Sequence, residues 1–198
     1  MASEAERRIQ VPVSVAAWNR ERPEVSAARP ARCPACQRAS RPAGDRLILV
    51  GHGLRSLLLL GPVQFGGSQK MVEIDARRYR CRACRAVCMV VPQGVGSGRR
   101  YFMPAIALAL GLWSLELLPA ARIRSALSPF GIVGSSSTGW RSLRRWARAY
   151  GKGDGTLREQ ATRFAQGLLA TSPLSAQTHQ IQPRIFAAAL HQSRWPSP

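Results

Sequence analysis

Two Cys-x-x-Cys pairs, Cys33-Pro34-Ala35-Cys36 and Cys81-Arg82-Ala83-Cys84, constrain this chain more than any other feature. A two-residue gap lets both sulfurs of a tight turn reach one ion. Two such turns brought face to face supply the four thiolates of a closed tetrahedral zinc site. The 44 residues between the pairs exceed the spacing of a short ribbon, so strands or a hairpin must fill the interval. The expectation is one structural zinc on Cys33, Cys36, Cys81 and Cys84, with no open coordination position for catalysis. A redox Cys-x-x-Cys would be a single pair beside a βαβ unit, which this chain lacks. Cys88 lies in an apolar run and reads as a buried thiol. His52, between Gly51 and Gly53, reads as a loop residue; both stand as alternative ligands.

The compartment follows from the same thiols. Residues 1–8 are charged and no apolar core follows them, which points away from a secretory signal and toward a reducing cytoplasm, where paired Cys-x-x-Cys binds metal. The longest uncharged apolar stretch, residues 101–115, is shorter than the roughly 18 residues of a membrane span, and Pro104 and Gly111 interrupt it. It reads as a buried helix.

The formal charge of +19 comes from 29 basic and 10 acidic residues in 198, and only Lys70 and Lys152 of the basic residues are lysine. Arginine's planar fork suits phosphates and guanine edges, so the excess favours a nucleic-acid partner. A coding bias toward Arg, Ala, Gly and Pro accounts for the arginine but not for the scarcity of acids. With ten carboxylates, no phosphate-cradling loop and no Ser-His-Asp set, an active site is not visible and the chain is expected not to be an enzyme. Glu73 and Asp75 could share a strand face, yet they lack a third partner.

Along the chain, the reading is an α+β protein: a small β-rich zinc ribbon followed by a three- to four-helix, helix-turn-helix-like domain, with flexible termini. Residues 1–31 read as a mostly flexible arm with a short strand at 9–15. Residues 32–92 form the ribbon, with strands at 46–50, 55–60, 70–80 and 86–91. Residues 93–103 are a glycine-rich linker. Residues 104–170 are helical, opening at Pro104 with Ile106, Leu110, Trp113 and Leu117 in helical spacing. A second helix follows Pro119, a third follows the loop 128–135, and a fourth covers 154–169. Residues 171–198 read as a flexible tail with a brief helix at 185–190.

The third helix has a sharp pattern. With Trp140 at zero and about 100° per residue, Leu143, Trp146, Ala147 and Tyr150 fall on one arc, and Arg141, Arg144, Arg145 and Arg148 on the opposite one. Ser136 or Ser137 is suited to cap it. As the recognition helix of a helix-turn-helix it would offer Ser136, Ser137, Thr138 and Arg141 to bases. Arg144, Arg145 and Arg148 would hold phosphates, joined by Arg122 and Arg124. The alternative is an ordinary three-helix bundle with a solvated basic face, and the eight-residue loop is longer than the usual turn.

The run Cys33-Pro34-Ala35-Cys36, Gly51-His52-Gly53-x-Arg55, Arg77-Arg78-Tyr79-Arg80-Cys81-Arg82-Ala83-Cys84, and then SSSTGWRSLRRW at 135–146 resembles the N-terminal region of bacterial insertion-sequence transposases and related small bacterial proteins. The resemblance spans roughly residues 32–150. It implies zinc on the four cysteines and contact with double-stranded DNA through residues 136–148. A chain of this length has no room for a transposase catalytic domain, so what is implied is an accessory, a remnant or a regulator, acting as a homodimer or with a transposase partner. Two rival readings remain: a zinc-ribbon module that docks another protein, and an RNA-binding protein that stacks bases on Tyr79, Tyr101 and Phe102.

Overall fold

The computed structural model describes residues 7–96, 100–130, 140–151, 153–174 and 180–192. Among them the chain forms four strands and six helices, an α+β protein. The strands are β1 (Arg7–Val11), β2 (Leu49–Gly61), β3 (Lys70–Cys81) and β4 (Val87–Pro92). The helices are α1 (Val15–Glu21), α2 (Met103–Ser114), α3 (Ala120–Leu127), α4 (Arg141–Tyr150), α5 (Leu157–Ala170) and α6 (Ile181–His191). The strands make one mixed sheet in the order β1-β4-β3-β2. The chain divides into two compact units, one of Met1–Leu58 with Glu73–Ser97, the other of Leu59–Val72 with Gly98–Pro198. No helix among the described residues is long and apolar enough to cross a membrane.

In the first unit, β3 and β4 pair antiparallel, with Tyr79 opposite Cys88 and Arg80 opposite Val87. The turn between these strands is the second cysteine pair. β1 pairs with β4 in parallel, from Arg7 opposite Cys88 to Val11 opposite Pro92. The N-terminal segment, expected as a mostly flexible arm, is therefore held in the sheet and continues into a helix. Ser14 caps α1 by accepting from the Ala17 N–H at 3.1 Å. Trp18, buried, donates from Nε1 to the Asp75 carbonyl at 3.1 Å. The short strand expected at 9–15 is present at Arg7–Val11, while α1 and the anchoring of this segment went unread because the stabilising partner, the free edge of β4, is some eighty residues away. The core here is Val15, Trp18, Leu49, Ile74, Ala76, Tyr79, Met89, Val90 and Val91. On β3, Met71 and Glu73 face solvent while Val72 and Ile74 turn inward, as the alternation indicates.

The two strands expected at 46–50 and 55–60 are one continuous β2. Gly53 takes a φ of 85° within it, a conformation that costs glycine little, so the Gly51-His52-Gly53 run bends the strand without ending it.

In the second unit, α2 is the central post, buried almost all round, and α3, α4, α5 and α6 all pack against it. A Cβ on Gly111 would lie 2.5 Å from Ile185 Cδ1, so a larger residue there would force the Ile185 side chain of α6 to shift. Helix α6 covers residues that the sequence reads as mostly tail. It buries Ile185, Phe186, Ala188 and Ala189, an apolar face whose partner is again remote in the chain. The core stripe expected to reach Leu117 stops at Ser114. Leu117 is 62% exposed, and its φ of 55° has left the helix. Helix α5 is closed at its start by a capping box, Thr156 with Glu159, a signal present in the sequence as T-x-x-E.

Candidate functional site

The two cysteine turns share one backbone design. In the first, the Cys33 carbonyl accepts from Gln37 N–H at 2.9 Å and the Cys33 N–H donates to the Arg38 carbonyl at 2.9 Å. In the second, the Cys81 carbonyl accepts from Arg85 N–H at 2.9 Å and the Cys81 N–H donates to the Ala86 carbonyl at 2.9 Å. The residue after each second cysteine is left-handed, Gln37 at φ 59° and Arg85 at φ 61°. That reversal curls each turn so that both of its sulfurs point to one side. The second turn is also tied to the start of β2, because Arg82 N–H donates to the Ile48 carbonyl at 2.9 Å.

The two turns meet. The Sγ atoms of Cys33, Cys36, Cys81 and Cys84 all lie within 4.8 Å of one another. Cys33 Sγ is 3.7 Å from Cys84 Sγ, and Cys36 Sγ is 3.8 Å from Cys81 Sγ. A disulfide would need about 2.05 Å, and all four cysteines are free. A regular tetrahedron with metal–sulfur bonds of about 2.3 Å has edges of about 3.8 Å. The cluster therefore has the size and donor set of a tetrathiolate metal site. Cys33 and Cys81 are buried, Cys36 is half-buried and Cys84 is exposed, so the site lies at the surface end of the sheet.

The thiols are electrostatically uneven. Burial works against ionisation of Cys81, but the N–H groups of Cys84 and Ala83 and the thiols of Cys84 and Cys33 point at its sulfur and bring it down to about 7. At Cys84 the Ala86 N–H favours the thiolate. Loss of water and the three neighbouring sulfurs outweigh it and push that thiol up to about 12. A cation among these sulfurs would replace the shared protons and reverse that balance.

Cys88, on β4, is buried outside the cluster. Its thiol is pushed up to about 11 by burial, with Cys33 and Cys81 adding to the effect. His52 is exposed on β2 and does not belong to the cluster either.

The second candidate surface is α4. Leu143, Trp146, Ala147 and Tyr150 are buried, and Arg141, Arg144, Arg145 and Arg148 are exposed, the division the helical spacing indicates. The arginine side chains make no hydrogen bond or ion pair with any described residue. Helix α4 starts later than expected. Its N-cap is Trp140, with no side-chain cap, and not Ser136 or Ser137. Trp140 is held in extended backbone where its ring packs edge-on against Trp146 at 4.8 Å and Tyr101 at 5.7 Å. Ser136, Ser137 and Thr138, the expected base-reading residues, lie outside the described residues. On α3, Arg122 is exposed and Arg124 half-buried.

Of the aromatics named as base-stacking candidates, two are buried and Tyr101 is half-buried. Tyr79 is buried and donates to the Val25 carbonyl at 2.9 Å, Phe102 is buried, and Tyr101 packs against Trp140 and Trp146. Glu73 and Asp75 are both exposed on β3, where the Glu73 carboxylate accepts from Ser56 Oγ.

No family model, no curated protein and no solved structure matches the chain.

Proposed function

We propose that this is a zinc-stabilised protein that binds double-stranded DNA and has no catalysis of its own. The observation that carries it is the exposed arginine face of α4. Arg141 and Arg145, and Arg144 and Arg148, are like-charge pairs four residues apart, each costing a few tenths of a kcal/mol in an isolated helix. Arg141 also sits in the first turn, where the helix dipole disfavours a cation, and no acidic residue there offsets it. A helix that concentrates cations against its own electrostatics is suited to a phosphate backbone. The +19 charge of the chain supports the same partner.

Zinc fits the four-sulfur donor set, which it binds in closed structural sites. Cys33, Cys36, Cys81 and Cys84 would hold it, and a closed shell leaves no position for a reacting water. Free, paired thiols suit a reducing cytoplasm. Together with the resemblance of residues 32–150 to transposase N-terminal regions, this supports a zinc ribbon and helix-turn-helix-like arrangement in an accessory, remnant or regulator of transposition. Helix α3 followed by α4 would form the helix pair.

The affinity should be dominated by counterion release. For Arg144→Ala/Arg145→Ala, the log–log salt slope of duplex binding, measured by fluorescence anisotropy, should be shallower than wild type by about two. Thermal stability should stay within about 0.5 kcal/mol because both side chains are exposed. An unchanged slope would remove α4 as the binding face.

One observation favours a protein-docking reading as the alternative. β2 lies at the edge of the sheet and exposes Leu54 and Leu58, a surface on which an added strand could pair.

A further inference from the structure

A second concentration of arginine surrounds the cysteine turns, in the first unit. Arg32 precedes Cys33, Arg38 follows Cys36 by two, Arg80 precedes Cys81, and Arg82 and Arg85 belong to the second turn; all five are exposed. Arg32 Nη1 donates to the Gln37 carbonyl at 3.2 Å. The other four side chains make no hydrogen bond or ion pair with a described residue. No Asp or Glu occurs in residues 25–44 or 76–115. Because the four sulfurs lie within 4.8 Å of one another, the two turns that carry these arginines lie side by side.

From this we infer that the cysteine-turn end of the first unit is a phosphate-backbone contact surface for duplex DNA, additional to α4. The simplest competing role for these arginines is to neutralise the metal centre. A divalent ion on four thiolates carries a net charge of −2. Five arginines exceed that by three, so the surface stays cationic after the centre is satisfied. The charges are spread over two turns and exposed, which suits a repeating polyanion more than one small anion. Duplex DNA offers a phosphate every 1.7 Å or so of axis, counting both strands, so several arginines of one surface can be engaged at once. The twin backbone of the turns supplies a clean test. Gln37 in the first turn occupies the same left-handed position as Arg85 in the second, so glutamine is compatible with the backbone there.

The inference rests on the duplex-binding reading above, and its test separates the two. Full-length wild type, Arg82→Gln/Arg85→Gln and Arg144→Ala/Arg145→Ala are titrated with a random-sequence duplex over a range of salt, after colorimetric assay shows equal zinc in all three. The Arg82→Gln/Arg85→Gln variant should bind at least about tenfold more weakly at 0.1 M salt, with a slope shallower by about two. If its slope matches wild type while that of Arg144→Ala/Arg145→Ala falls, the inference fails and the α4 reading stands. If only Arg82→Gln/Arg85→Gln loses slope, the inference stands and the α4 reading fails. No binding by wild type overturns both. A parallel titration with phosphatidylserine vesicles covers the remaining source of phosphate: an arginine dependence seen on vesicles but not on duplex overturns the inference.

Discussion

Replacing Cys81 with serine should weaken zinc binding at the proposed four-cysteine site by about one hundred- to one thousandfold and loosen the cysteine-bearing segment. Cys81 is fully buried, ends β3, and lies 3.8 Å from Cys36 across the cluster. Structural zinc in small tetrathiolate-type sites contributes roughly 10–16 kcal/mol at neutral pH. Losing one of four ligands should cost about a quarter of that, or between about one hundred- and one thousandfold in metal affinity. The residues that depend on the ion are those with least apolar core: the turn at 33–36 and the loop from there to β2, which carry few of the buried side chains of the first unit. Competition with a chromophoric chelator gives the affinity, and amide hydrogen exchange over residues 32–48 reports the unfolding. Cys88→Ser is the control. It introduces a hydroxyl into a buried site outside the cluster, so it should lower stability by about 1–3 kcal/mol while leaving one metal per chain. If Cys88→Ser lost the metal and Cys81→Ser kept it, the four-cysteine assignment would be wrong.

In the second unit the largest effect is expected from Trp146→Ala. Trp146 is 4% exposed and packs edge-on against both Trp140, at 4.8 Å between ring centroids, and Tyr101, at 5.0 Å. Truncation removes that aromatic cluster and leaves a void that the flanking rings fill only in part. The expected loss is about 3–5 kcal/mol, much of the total stability of a small domain. Trp140, the N-cap of α4, packs on this ring, so the start of α4 should loosen as well. Urea denaturation followed by far-ultraviolet circular dichroism would register the change as a lower midpoint. DNA affinity should fall with it, because the arginines lose the rigid helix that presents them. The contrast with Arg144→Ala/Arg145→Ala, expected to alter binding and not stability, separates the two faces of one ten-residue helix.

Where function-bearing residues were legible in the sequence, the reason was local. The Cys-x-x-Cys spacing is a property of four residues, and it marked the cluster before any partner was known. The apolar and arginine arcs of α4 repeat at 3.6 residues, and burial follows them residue by residue. What escaped depended on contacts between residues far apart in the chain. The strand at 9–15 and the short helix at 185–190 were legible, but not α1, nor the full length of α6, nor their packing on β4 and α2. The start of α4 at Trp140 depends on Tyr101 and Trp146 and not on the serines that would suit a cap. The burial of two of the three candidate stacking aromatics was hidden for a related reason. Tyr79 sits between two arginines in the sequence, but the alternation of β3 places it inside, where it finds a backbone carbonyl as its partner, and Phe102 is buried at the start of α2. The arginines around the cysteine turns were visible as composition, and only the meeting of the two turns brings the two groups close together.

The account turns on one metal ion drawing both turns together, and X-ray absorption at the zinc edge of the purified full-length chain examines that directly. The result predicted is zinc at about one per chain with a single shell of four sulfurs near 2.3 Å. A chain without zinc, or a shell containing nitrogen or oxygen in place of a sulfur, would contradict it.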